Sequence, residues 1–287
     1  MPAHYTLEHA DSIEWLKNRR RRSIHAVVTD PPYGVVEYTR RVQAQLKKGK
    51  GLWRLPQAYD GADRKAVPRF TILTPAQHRD IYRFQLLLAT TLLPTLVPGA
   101  HVFVASNTLF SHLVIEGFVE AGFELRGQVA RLVRTLRGGD RPKDAHEEFA
   151  GVSVSPRSSW EPWLIFRRPF EGRVSENLRT WGTGALRRPS EDSPFADLIA
   201  SGPARGEERK LSKHPSLKPQ AFLRQVVRAA LPLGRGVLLD PFMGSGSTIA
   251  AASAMGIRSI GLERDRSYFR SAVASVPKLR RLDIEAQ

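Results

Sequence analysis

Leu238-Leu239-Asp240-Pro241-Phe242-Met243-Gly244-Ser245-Gly246-Ser247-Thr248 reads as a strand, a glycine turn and the opening of a helix. Gly244 and Gly246 stand where a backbone must come close to a ligand, and Ser247 or Thr248 can cap the helix that follows. Outward from this turn lie a strand at Val237-Leu238-Leu239, a helix from Thr248 to Met255 and a second strand at Ser259-Ile260-Gly261-Leu262, together a βαβ unit. Glu263 ends that second strand about twenty residues on, where an acidic side chain hydrogen-bonds ribose hydroxyls in nucleotide-binding units of this kind. A solvated strand-end charge is the plainer alternative. The glycine turn contains no lysine, so it is not a phosphate-cradling P-loop.

At the other end of the chain, Ile24-His25-Ala26-Val27-Val28-Thr29 is a short β-rich run that stops at Asp30-Pro31-Pro32-Tyr33-Gly34. Two prolines cannot continue a ladder, so Asp30 falls at the carboxyl end of a strand, where open parallel sheets place their ligand crevices. A helix from Pro75 to Leu93, a strand at His101–Ala105, a helix around Leu109 to Ala121, strands at Phe123–Val133 and Trp163–Phe166 and a helix near Gln220 to Leu231 fill the interval. This strand–helix alternation predicts one α/β domain over residues 1–287 with a mostly parallel sheet. Two stretches fall outside the pattern. Residues 35–70 are basic and irregular, with Arg40, Arg41, Lys47 and Lys48 interleaved with Tyr38, Trp53 and Tyr59, and read as a DNA-contacting flap in preference to a solvated tail. Residues 167–212 are polar, rich in Gly, Pro, Arg and Ser, and read as an insertion that sets specificity rather than a core element.

Composition narrows the partners. The chain has 44 Lys and Arg against 28 Asp and Glu, a formal charge of +16, and this surplus favours a polyanion, with nucleic acid first. There is no cysteine, so disulfides, thiolate nucleophiles and cysteine-ligated metal centres are excluded, and no metal site is expected. The opening residues lack an apolar signal core and no window is apolar enough to span a bilayer, so the sequence reads as a soluble, cytoplasmic protein.

Asp30-Pro31-Pro32-Tyr33 resembles the catalytic motif of DNA amino-methyltransferases, and Asp240 to Thr248 is similar to their cofactor motif. Lys213-His214-Pro215-Ser216-Leu217-Lys218-Pro219 resembles the His-Pro-x-x-Lys-Pro segment that precedes the cofactor strand in that family. With the catalytic motif first and the cofactor motif last, the order looks like the circularly permuted β group. The resemblance implies a Rossmann-like S-adenosylmethionine-dependent methyltransferase fold with a mixed, mostly parallel seven-stranded sheet. It implies that Asp30, Pro31, Pro32 and Tyr33 carry catalysis. The cofactor would be held by Asp11, Asp30, His214, Ser216, Lys218, Asp240, Pro241, Phe242, Gly244, Ser245, Gly246, Ser247, Thr248 and Glu263. Asp11 matches an acidic residue by the cofactor's adenine, with a helix N-cap as its equal alternative. A double-stranded DNA substrate, a restriction-modification setting and a homodimer are further implications of the resemblance. Arg264 departs from the apolar residue usual after the ribose-binding acid and puts the local packing in question.

The chemistry asks for those residue types. The exocyclic amine of adenine or cytosine is a poor nucleophile because its lone pair is delocalised into the ring. An aspartate and a neighbouring carbonyl that accept its two N–H bonds hold the lone pair out of conjugation and aim it. Tyr33 can stack on the base, which must leave the duplex to be reached. Within the family it resembles, Asp rather than Ser at the start of the motif implies adenine N6, with cytosine N4 as the alternative; a catalytically silent DNA-binding or specificity subunit is the alternative of another class. Trp160 and Trp163 are candidates for base stacking, although Trp163 falls in a predicted strand and reads as core.

Overall fold

A computed structural model describes residues 4–32, 75–133, 139, 141, 142, 144–204, 206–212 and 217–284. The basic stretch 35–70, Tyr33, His214 and Ser216 lie outside the described residues.

Hydrophobic runs with little alternation become strands buried on both faces. β1 (Tyr5–His9) leads to α1 (Ser12–Lys17), and β2 (Ile24–Thr29) carries the first predicted strand. α2 (Pro75–Leu92), β3 (Leu96–Ala105), α3 (Ser111–Glu120), β4 (Glu124–Leu132) and β5 (Trp160–Arg167) follow. Then come α4 (Val174–Trp181), β6 (Leu198–Ala200), α5 (Gly206–Leu211) and α6 (Gln220–Ala230). β7 (Val237–Asp240), α7 (Ser247–Ala254), β8 (Arg258–Glu263) and α8 (Arg266–Leu279) close the chain. No helix among the described residues is long and apolar enough to cross a membrane.

The strands form one sheet in the order β1-β8-β7-β2-β3-β5-β4-β6. Only β5 runs against its neighbours, β3 and β4, and every other pairing is parallel. Two-residue periodicity sorts the core into two layers. Val27, Val102, Val104, Leu164, Phe166 and Leu239 face one side with Leu16 of α1, Leu88 and Leu92 of α2 and Phe118 of α3. Ala26, Val28, Phe103, Trp163, Ile165 and Leu238 face the other, against Phe222, Leu223 and Val226 of α6 and Ala251 and Ala252 of α7. A smaller cluster of Met243, Ile249, Ala272, Val276 and Leu279 fastens α8 to α7.

The predicted α/β architecture with a mixed, mostly parallel sheet is what the chain adopts, with three differences. The described strands number eight rather than seven, because β6 adds a short parallel edge beside β4. Pro98-Gly99, which precedes the strand predicted at His101–Ala105, instead sits inside β3, where the pairing with β2 slips between Ile24 and Ala26. Gly99 has φ +76, and a Cβ there would strike Asn177, which is buried and donates through Nδ2 to Pro98 O at 3.1 Å and Thr183 O at 2.8 Å. The third difference follows from that contact. The 167–212 stretch is not all peripheral, since α4 is pinned to the β3 irregularity by a buried amide whose periodic signal is a single polar residue.

Gly246 is the N-cap of α7 at φ +80, and a methyl group there would run into Val276 of α8. Gly246→Ala therefore combines left-handed strain with overpacking and should lower the unfolding free energy by about 3 kcal/mol in urea titration. A loss below about 0.5 kcal/mol would show that α8 yields freely.

Candidate active site

β8, β7 and β2 are adjacent and parallel, so their carboxyl ends open on the same edge of the sheet. Each ends in or just before a carboxylate: Glu263 on β8, Asp240 on β7 and Asp30 immediately after β2. Residues from opposite ends of the sequence thus converge on one edge of the sheet.

Asp240 is 2% exposed, and its Oδ1 accepts from Thr29 Oγ1 at 2.8 Å and from the Phe242 amide at 3.1 Å. Burial pushes its carboxyl up to about 7, against the opposing pull of hydrogen bonds from Thr29, Thr248 and Phe242. Glu263 braces the glycine turn from the next strand. Its Oε2 accepts from the Gly244 amide at 3.1 Å and its Oε1 from the Asp265 amide at 2.6 Å, while burial raises its pKa. Ser275 of α8 donates to Ser245 O at 2.7 Å, and Gln220 Nε2 to Ser247 O at 2.8 Å, so α8 and α6 both grip the turn's backbone.

Lys218 brings the third predicted segment to the same place. Its Nζ lies 2.6 Å from Asp30 Oδ2 and 3.2 Å from Glu161 Oε1 on β5. Glu161 in turn meets Arg131 of β4, Nη1 to Oε2 at 2.8 Å, and accepts from Trp163 Nε1 at 3.1 Å. Burial alone would neutralise these groups, but Asp30 and Glu161 outweigh it and hold the Lys218 pKa above its ordinary value. For Glu161, too, burial is overcome by Lys218 and Arg131, which keep its carboxyl well below the usual range.

Of the predicted residues, Asp30, Lys218, Asp240, Pro241, Phe242, Gly244, Ser245, Gly246, Ser247, Thr248 and Glu263 are carried by this edge or the turn beside it. Pro31 is buried and Pro32 exposed at the end of the described β2 segment. Asp11 caps α1, its Oδ1 accepting from the Ile13 amide at 3.0 Å and the Glu14 amide at 3.2 Å. Its Oδ2 lies 3.6 Å from Arg264, whose guanidinium is exposed, so the unusual arginine points to solvent and leaves the core intact. Trp163 is fully buried against Phe222, in keeping with its core reading. Sequence reasoning passed over Glu161, Arg131 and Thr29. Charged residues inside an apolar strand, as in Trp160-Glu161-Pro162-Trp163, were the available signal, since such charges are buried only when paired.

Between about pH 4 and 7 the folded chain holds a proton on Asp240 that the unfolded chain has released. This contribution to stability is full below the unfolded pKa and is lost as pH rises through the folded one. Asp240→Asn keeps an oxygen for Thr29 and Phe242 and removes the titration. Its stability relative to the native chain should therefore improve by about 1.4 kcal/mol per pH unit at most as pH is raised across that window. A pH-independent difference between the two chains' unfolding curves would rule out a proton on Asp240.

Residues 142–274 match the family model described as DNA methylase, N6_N4_Mtase, a span that holds Glu161, Lys218, Asp240 and Glu263. Over 92% of its length the chain is 22% identical to the type II methyltransferase M.HindIII of Haemophilus influenzae, covering 92% of that protein. The structure resembles that of the M1.HpyAVI–SAM complex with a TM-score of 0.58 at 18% identity, covering 97% of this chain and 100% of the other. It also resembles PvuII DNA methyltransferase, titled cytosine-N4-specific, with a TM-score of 0.61 at 15% identity over 99% of this chain and 89% of the other. The chain thus has the fold of the S-adenosylmethionine-dependent methyltransferases, and residues 142–274 carry the DNA methylase family pattern.

Proposed function

We propose that the protein is an S-adenosylmethionine-dependent DNA amino-methyltransferase of the permuted group, and that its target is adenine N6. The observation that carries this reading is the meeting of Asp30, Lys218, Asp240 and Glu263, from three separate motifs, at one edge of the sheet. The donor set fits the cofactor. Three carboxylates stand on neighbouring strand ends, suited to a ligand with two cationic groups and a ribose diol, and Asp240, poised near neutrality, is an acid that a nearby cation would readily ionise. Glu263 would take the ribose hydroxyls. Asp240, Lys218 and the turn from Pro241 to Thr248 would flank the methionine portion, with His214 and Ser216 beside Lys218 in the sequence. Asp11 would lie toward the adenine.

When bound, S-adenosylmethionine supplies an electrophilic methyl group on a sulfonium. The chain's own part is positioning. Asp30 and the Pro31 carbonyl accept the two N–H bonds of the flipped base's amine and aim its lone pair, and Tyr33 stacks on the base. Pro31 and Pro32 pre-set the turn at small entropic cost. The proton released when the amine is alkylated leaves through the carboxylate that holds it or to water. The choice of adenine rests on Asp30 in place of a serine. Cytosine N4 is supported by the likeness to the cytosine-N4-specific PvuII enzyme.

Incubation of the native chain with methyl-labelled cofactor and duplex DNA, followed by nucleoside analysis, should yield N6-methyladenine. Asp30→Ala should reduce transfer by at least about a thousandfold. N4-methylcytosine alone would replace adenine by cytosine; equal background from both proteins would leave the silent DNA-binding subunit. With a surplus of 16 positive charges, the affinity for duplex should fall by about a hundredfold or more between 50 and 200 mM salt. A salt-independent affinity would contradict a phosphate-bound substrate.

A further inference from the structure

Four charged side chains run in line from the far half of the sheet to the catalytic carboxylate: Arg131, Glu161, Lys218 and Asp30. Their signs alternate and their formal charges cancel. The Arg131, Glu161 and Lys218 side chains are 6%, 17% and 12% exposed, so each has been taken out of water at considerable cost. Stability alone is a poor reason for such a chain, because well-packed apolar replacements of buried ion pairs are often as stable. Its place in the fold supplies another reason.

Arg131 and Glu161 are directly opposed cross-strand partners on β4 and β5. Arg131 is held on three more sides, by Ser201 Oγ at 3.1 Å, Gly202 O at 2.9 Å and the ring of Phe222 at 5.1 Å. Glu161 is held by Arg131 and Trp163 through Oε2 and offers Oε1 to Lys218. Lys218, by contrast, stands just outside α6, two residues before its first turn, and takes its direction from the two carboxylates it bridges.

We propose that Glu161 is a positioning residue for methyl transfer, sharing the Lys218 ammonium with Asp30 so that Asp30 Oδ2 is fixed while the carboxylate keeps its capacity to accept from the target amine. This rests on the methyltransferase reading. Without the Glu161 charge, the full ammonium field falls on Asp30 and competes with the amine N–H for the same carboxylate. The effect belongs to the reacting geometry and not to cofactor or DNA affinity, so it should appear in kcat rather than in KM.

The test is a double-mutant cycle on the full chain with labelled cofactor and duplex DNA. Glu161→Gln preserves shape and an acceptor for Trp163; it should lower kcat by about tenfold to a hundredfold, with both KM values unchanged within about threefold. Lys218→Gln should lower kcat as well. Because Glu161 acts through Lys218, the double variant should be no slower than Lys218→Gln alone, within about twofold. Multiplying losses, an unchanged kcat in Glu161→Gln, or a change confined to KM would each overturn the proposal. Should Glu161→Gln fail to fold, Glu161→Gln with Arg131→Gln removes the orphaned cation too and is read by the same criteria. Absence of transfer by the native chain would instead defeat the methyltransferase reading itself.

Discussion

Thr29 Oγ1 donates to Asp240 Oδ1 at 2.8 Å in the buried interior, and this bond between neighbouring parallel strands ties the strand ends that carry Asp30 and Asp240. Its distance and direction depend on the register of β2 against β7, in which Ala26 faces Leu238 and Val27 faces Leu239. Because the side-chain period of a strand is two, a slip of one residue would turn every apolar residue of β2 to the wrong layer and carry Asp30 away from the edge. The core packing that fixes the register therefore also fixes the chemistry.

The turn after β7 shows the same economy. Gly246 permits α7 and α8 to approach, and Gly261 on β8 lies where a Cβ would press on Met243 and on Ile249 at 2.7 Å. Glu263 meanwhile uses both oxygens to hold backbone amides of the turn and of the segment entering α8. An acid already braced by Gly244 is preorganised, with little side-chain entropy left to lose.

Opposed burial and charge run through the site. Asp240 has hydrogen bonds but, among the described residues, no cation that offsets its desolvation, and it rises to about 7. Glu161 is less deeply buried, has two cations beside it and falls below the ordinary carboxylate range. Two carboxylates on one sheet, a few strands apart, are thus driven in opposite directions by burial on one and paired cations on the other.

The sequence by itself determined the α/β class, the parallel βαβ unit around Gly244 and Gly246, and the strand-end position of Asp30, because hydrophobic runs, glycine turns and paired prolines act over a few residues. It also named Lys218 through a local motif. Beyond its reach lay the irregularity of β3 at Pro98-Gly99 and the packing of α4 against it, since both depend on Asn177 finding a β3 carbonyl some eighty residues away. Only the tertiary structure decided that Asp11 caps a helix and that Glu161 and Arg131 stand behind Lys218. The reason is physical: a charge inside an apolar strand shows that a partner is needed, but which partner answers is settled by strand register, and register is a property of the packed sheet.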